Sequence, residues 1–347
     1  MSTPTWISAH LFYHNDHAPL LTACVQPLVN ELAEQRRTQR YFFIRYWQGG
    51  PHVRLRLLPA HPADATAIRA QVSAHAVAFF AAQPSQTALQ RSEYAALTKH
   101  LSEHEYGAAR RAPLYPNNSL RYIRYRPEYE RYGGALALSH VERHFMDSSA
   151  LAIELLSAAP TLERRIGQAL TFMLSAMRIA ADQAATLAEL FARSYRFWAN
   201  MLGAARTAYE AHFAERYVAV RTRLLPLAEH LTARVDQSPA GTADSPLARW
   251  QASMQLLYTR LSELSARDEI SFGTEPAPVA SMPLHQPHAA TIMQRCLHMH
   301  NNRLGIPFSD EVYLNYVLAR LLTELAPQRQ HLLDRPVAMT SVRKGAS

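Results

Sequence analysis

The sequence predicts an α+β fold, an N-terminal mixed β-sheet with flanking helices packed on a larger C-terminal helical layer. Three observations carry it. Within Tyr41–Leu58, Val53, Leu55 and Leu57 alternate with His52, Arg54 and Arg56, the period of a half-buried strand. After Gly134 the alternation gives way to long alanine- and leucine-rich runs of helical period. The chain of 347 residues, 48% hydrophobic and 18% charged, is long enough for one large core or two intimate ones. The expected division is a sheet-containing part over 1–134, a helical part over 135–334 forming one compact unit with it, and a flexible tail over 335–347.

Taken in order, Trp6–Tyr13 reads as a strand and Pro19–Gln35 as a helix, with proline tolerated in its first turn. Tyr41–Trp47 is a second strand. Gln48-Gly49-Gly50-Pro51 is the turn into a third, in which Val53, Leu55 and Leu57 alternate with His52, Arg54 and Arg56. A helix is expected near Ala63–Gln83, a loop over Pro113–Ser119 and a strand over Leu120–Tyr125. Ala135–Ala159, Thr161–Leu202 and Ala204–Val235 follow as helices. Gln237–Ser245 and Ser271–Gln286 read as irregular, Pro287–Arg303 and Asp310–Leu325 as helices, and the tail from Arg335 is expected to fray. Phe172, Met173, Met177, Phe191, Tyr195, Phe197 and Trp198 fall at helical spacing and are assigned to the core.

The polar face of the third strand carries an imidazole and two guanidiniums in a row. With Trp47 paired to His52, Arg45 would lie opposite Arg54. Like charges opposite one another destabilise a sheet, so the cluster makes sense facing an anion. The planar arginine fork suits a carboxylate; the alternative is a solvated basic face with scattered ion pairs. Arg131 precedes Tyr132-Gly133-Gly134 at the start of a helical run, where backbone N–H groups favour negative charge; alternatively it pairs with Glu128 or Glu130 and shapes the loop. In the late helix, Met293, Leu297, His300 and Leu304 share an apolar stripe, which makes His300 a packed histidine. His298 falls with Gln294, Arg295 and Asn302 on a polar stripe and is the candidate general acid/base. A zinc set of His285, His288, His298 and His300 fails on ligand type and spacing, so no metal and no cofactor is expected.

A formal charge of +8 and a pI near 9.6 suit an acidic partner. The basic residues are dispersed and form no RNA-binding module, so an anionic peptide is expected, with neither DNA nor tRNA binding here. Cys24 and Cys296 suggest a reducing cytosol. With no signal-peptide pattern and no membrane-spanning run, the expected location is cytoplasmic.

The strand arginines, the Pro127-Glu128…Arg131-Tyr132-Gly133-Gly134 loop, the following Glu142…Asp147-Ser148 and the late His298-Met299…Asn302-Arg303-Leu304 resemble the C-terminal glutamate-elimination domain of class I lantibiotic dehydratases. Stand-alone forms of that domain belong to thiopeptide-type bacteriocin biosynthesis. The resemblance runs from Trp6 to beyond Arg303. It implies a carbon–oxygen lyase that expels glutamate from O-glutamylated serine or threonine, leaving dehydroalanine or dehydrobutyrine. A separate tRNA-dependent protein would glutamylate the precursor peptide. Carried over by motif position, Arg54, Arg56, Arg131 and His298 would be catalytic. Arg45, His52, Tyr132, Ser148 and Asn302 would contact substrate, and Glu142 would form a plain ion pair. Two alternatives stand beside it: a thiopeptide pyridine synthase that joins two dehydroalanines and ejects the leader peptide, and a non-catalytic peptide-binding subunit.

Overall fold

The computed structural model describes residues 5–87, 89–95, 113–233, 244–273, 282 and 284–326. β1 (Ile7–Phe12), β2 (Thr38–Tyr46), β3 (His52–Pro59) and β4 (Ser119–Tyr122) form one sheet in the order β2-β3-β1-β4. The fold class is the expected α+β, with the sheet antiparallel in all three pairings rather than mixed. Ile7, Ala9, Leu11, Phe43, Val53, Leu55 and Leu57 are buried on one face. They share a hydrophobic cluster with the helical segments over 18–34 (α1) and with α2 (Ala65–Ala82). The opposite face carries Ser8, His10 and Phe12 beside His52, Arg54 and Arg56, then Phe42, Ile44 and Tyr46.

The hairpin register differs from the expected one by a single residue. Tyr46, not Trp47, pairs with His52, and Arg45 pairs with Val53. Trp47 belongs to the turn: its carbonyl accepts the Gly50 N–H at 3.0 Å. Gly49 and Gly50 follow at φ +93° and +105°, backbone that side chains rarely adopt. A Cβ on Gly49 would also lie 2.8 Å from the Tyr115 ring. A one-residue slip inverts every side chain of a strand. Arg45 therefore leaves the arginine face and pairs with Asp16 at 3.2 Å.

Gly134, at φ +101°, opens α3 (Ala135–Ser157). It is followed by α4 (Leu162–Met177), α5 (Ala184–Ala199), α6 (Arg206–Ala233), α7 (Pro246–Ala266), α8 (Pro287–Leu304) and α9 (Phe308–Leu325). The single helix expected over 161–202 is thus broken, and the Arg178 guanidinium bonds the Ala181 and Asp182 carbonyls in the gap. The sequence reading assigned nothing to α7. Ser245 caps it by accepting the Ala248 N–H, and Pro246 occupies its first turn. Residues 237–243 of the expected linker, most of Ser271–Gln286 and the tail from Arg335 lie outside the described residues.

Helix side chains close the outer edge of β2. Phe43 N–H donates to Ser149 Oγ at 3.1 Å, and Arg303 Nε donates to the Phe43 carbonyl at 2.9 Å. Asn302 takes the Arg45 N–H at 2.8 Å and gives a hydrogen bond to the Arg45 carbonyl at 2.9 Å. Buried backbone polar groups require partners, and an edge strand otherwise leaves a row of them open. The helical layer is pinned to the sheet by polar side chains as well as by the hydrophobic core.

Candidate functional site: the arginine face of the sheet

β3 sets His52, Arg54 and Arg56 on one face, and β1 sets His10 opposite Arg54 and Ser8 opposite Arg56. His52 donates through Nδ1 to the Gly50 carbonyl at 2.7 Å and accepts from Arg54 Nε at 3.2 Å. A carbonyl only accepts and a guanidinium only donates, so both bonds fit the neutral Nδ1–H tautomer. Burial, the largest cause, holds His52 down at about 3, helped by the neighbouring guanidiniums. His10 stacks on His52 with centroids 5.0 Å apart. Burial first, then Arg56, His52 and Arg54, push its pKa to about 2. Both imidazoles are neutral supports for cations. The Arg54 guanidinium lies 3.4 Å over the Tyr46 ring, and that of Arg56 lies 5.1 Å over Tyr125.

Arg56 is only 5% exposed, and among the described residues no carboxylate forms an ion pair with it. Its hydrogen-bond partner among the described residues is His10 Nε2, 3.4 Å from Nη1. Burial and Arg54 lower its pKa to about 9, leaving it charged at neutral pH. Its Nε, His10 Nδ1 and Ser8 Oγ are all buried without a hydrogen-bond partner among the described residues. Three donors thus meet on adjacent strands with no acceptor, and buried polar groups of that kind call for an explanation. Ser8 and His10 were missed from sequence, although Ser8 and His10 alternate with Ile7, Ala9 and Leu11.

The loop after β4 lies against the same end of the face. Tyr125, below Arg56, donates its hydroxyl to Glu142 Oε1 at 2.8 Å. Glu142 is buried, its carboxyl pushed up by that burial, so it is a hydrogen-bond acceptor and not the expected ion-pair partner. Arg131 Nε lies 3.5 Å from Glu128 Oε2. The Arg131 carbonyl accepts from the Arg295 guanidinium. Glu128 also acts on Arg56, so it links the loop arginine to the strand pair electrostatically.

Several expected substrate contacts have structural partners instead. Ser148 is buried between His300 Nδ1 at 2.8 Å and Arg303 Nη1 at 3.3 Å. Asn302 is committed to the Arg45 backbone, and Arg45 faces Asp16 and the Arg303 carbonyl. Tyr132 packs edge-on against Phe145 with centroids 5.5 Å apart. These four belong to the joint between sheet and helices.

His298 lies on α8, and its side-chain partners come from α9 and α5. Its Nδ1 lies 2.9 Å from Glu311 Oε2, and its ring stacks on Trp198 at 5.0 Å. The other Glu311 oxygen accepts from Asn301 Nδ2 at 3.1 Å. A carboxylate fixing one ring nitrogen leaves the other to move a proton. Glu311 carried no sequence signal, because only the packing of α9 on α8 brings it to the imidazole. One helical turn, ~6 Å of rise, separates His298 from Asn302, which grips β2 beside Tyr46. His300 is buried as expected, 4.3 Å from the Trp250 ring centroid. His300→Ala is expected to lower stability by about 2–3 kcal/mol through the cavity it leaves. His298→Ala should cost about 1 kcal/mol or less, and urea unfolding of both variants measures the difference. Among the described residues no group of His, Cys, Asp or Glu is arranged to hold a metal, and no helix is long and apolar enough to cross a membrane.

Comparison with known structures places the fold. The pyridine synthase TbtD from thiomuracin biosynthesis superposes with a TM-score of 0.75 at 16% identity, over 92% of this chain and 98% of that one. TsrL gives 0.65 at 18% identity, over 93% and 95%. The tRNA-dependent lantibiotic dehydratase MibB from Microbispora gives 0.51 at 18% identity, and this chain covers 28% of it. No curated protein sequence matches significantly. The family model described as the C-terminal part of lantibiotic biosynthesis dehydratase matches residues 6–322. Strand arginines, loop arginine and late histidine all fall inside that match, and the chain belongs to the lantibiotic dehydratase C-terminal family.

Proposed function

We propose that the protein is a lyase of ribosomal-peptide maturation that eliminates glutamate from O-glutamylated serine or threonine. The observation that carries this reading is the buried Arg56 guanidinium, paired with no described carboxylate and joined by the unpartnered donors of Ser8 and His10. In the reaction the α-proton leaves, its electron pair forms the Cα–Cβ double bond, and the Cβ–O bond breaks to release glutamate as a carboxylate. The α-proton is a weak acid, so the developing enolate needs donors aimed at it. The departing carboxylate needs a matching cation. Arg54 and Arg56 supply both kinds of stabilisation, and Arg131 supports the same end of the face. His298, oriented by Glu311, is the candidate proton carrier. The precursor peptide and a separate glutamylating protein are the partners this chemistry requires.

The alternative of a pyridine synthase is favoured by one observation, the likeness along nearly the whole length of TbtD. One assay separates the two. Pure protein is incubated with a glutamylated precursor and, separately, with a peptide already bearing two dehydroalanines, and both are read by mass spectrometry. Loss of each glutamyl group together with one water-equivalent from serine or threonine is the expected result. An unchanged glutamylated precursor with leader release from the second peptide would overturn the elimination reading.

A further inference from the structure

A groove distinct from the arginine face runs between α3 and α7. Its larger lobe, 370 Å³, is lined by Asp147, Ala150, Leu151, Trp250, Ala252 and Leu256. A smaller lobe of 120 Å³ continues it past His140, Arg143, His144 and Arg260. Asp147, Ser253 and Leu256 line both. Glu142, Phe145 and Ser149 turn the opposite side of α3 toward the sheet, so this helix is the wall between groove and site.

The lining has the features of a seat for one apolar side chain. The exposed Ala150 and Ala252 leave space that larger residues would fill, and Leu256 beside them is 48% exposed. Below lies a polar chain: Ser253 Oγ donates to Asp147 Oδ2 at 2.7 Å and accepts from His144 Nδ1 at 2.9 Å, while His144 Nε2 is buried without a partner among the described residues. Burial holds His144 neutral, at about 3. With the Ser253 hydrogen directed at Asp147, His144 Nδ1 donates to Ser253 instead of accepting from it, which is not the arrangement of a hydrolytic triad.

The lining carries three arginines, Arg143, Arg249 and Arg260, and one carboxylate, Asp147, which accepts from Ser253. Arg249 is held by Glu154 at 2.6 and 2.7 Å, and Arg260 by Glu263 at 2.9 Å. Arg143 is exposed and has no carboxylate partner among the described residues. The chain as a whole carries +8, which attracts acidic segments.

We propose that this groove docks an acidic, amphipathic peptide segment, with an apolar side chain seated on Ala150 and Ala252 and an adjacent carboxylate on Arg143. Only the identification of that segment as part of the modified precursor rests on the proposed function. The docking itself does not.

The test uses the full chain and a fluorescein-labelled synthetic peptide of alternating leucine and glutamate, read by anisotropy. Ala252→Leu fills the seat at an exposed position, and Arg143→Glu reverses the rim charge. Each is expected to weaken binding at least tenfold, about 1.4 kcal/mol. Arg164→Glu, exposed on α4, should change it less than twofold, and a lysine-for-glutamate probe should bind at least tenfold more weakly. Equal losses from Arg143→Glu and Arg164→Glu, no loss from Ala252→Leu, equal binding of the lysine probe, or no binding at all would each overturn the proposal. The assay involves no turnover, so a failure of the elimination chemistry leaves its result standing.

Discussion

Arg56→Met is expected to lower the elimination rate by about 10²–10³-fold, the usual range for removing one donor from an oxyanion-type site, while the protein melts at an unchanged or higher temperature. The two halves of this expectation share one cause. Arg56 is charged, almost fully buried, and held by a neutral imidazole and an aromatic ring; among the described residues no carboxylate forms an ion pair with it, and Glu128 favours its charge only from beyond ion-pair distance. Taking a charge out of water is costly unless it is paired. Burial and the Arg54 charge both work against its protonated form. A guanidinium there lowers stability, and on the proposed function it trades that stability for activity, as active sites commonly do. Methionine keeps the length of the side chain without its charge. Arg56→Lys should recover little activity, because the charge survives but the fork does not. The measurements are glutamyl-adduct accumulation by mass spectrometry beside thermal melting. A large fall in melting temperature with normal turnover by the folded fraction would make Arg56 a structural residue and remove the basis for the site.

The sequence exposed this face through the alternation of Val53, Leu55 and Leu57 with His52, Arg54 and Arg56, because a strand's two sides are written at period two. It did not reveal the register. Four residues were counted into the turn, whereas Trp47 also joins it, and that one residue carried Arg45 to the wrong side. Turn length depends on contacts such as Tyr115 against Gly49, which lie far away in sequence. The helical stripe correctly buried His300, since period 3.6 is a local property. The same stripe placed Asn302 on a polar face without revealing that this face grips the backbone of β2. Glu311, Tyr125 and the Ser149–Phe43 contact are tertiary in origin and have no sequence period. The helix α7 went unread although its signals are present: Ser245-Pro246 precedes Leu247, Trp250, Met254, Leu257, Leu261 and Leu264, an apolar stripe behind a capping residue.

Acid should unfold this protein near pH 5, before most of its carboxylates protonate. His10, His17, His52, His144 and His300 are all buried, with pKa values lowered to about 2, about 4, about 3, about 3 and well below 6.5, respectively. Burial is the first cause for each. An unfolded histidine takes a proton near pH 6.5. Between there and pH 4 the unfolded chain therefore binds more protons than the folded one, and stability falls as pH falls. Each histidine contributes a slope approaching ~1.4 kcal/mol per pH unit, and five together approach ~7. A typical domain has about 5–15 kcal/mol in all, which such a slope exhausts within one to two units. Glu142 opposes the trend, since its carboxyl is raised in the fold, but it is a single group. Circular dichroism from pH 8 to pH 4 should show a steep transition near pH 5. His300→Asn keeps a donor for Ser148 while removing one titrating ring, so its transition should be shallower in pH. A native spectrum at pH 4, or an identical transition in that variant, would mean that these imidazoles are not held neutral by the fold.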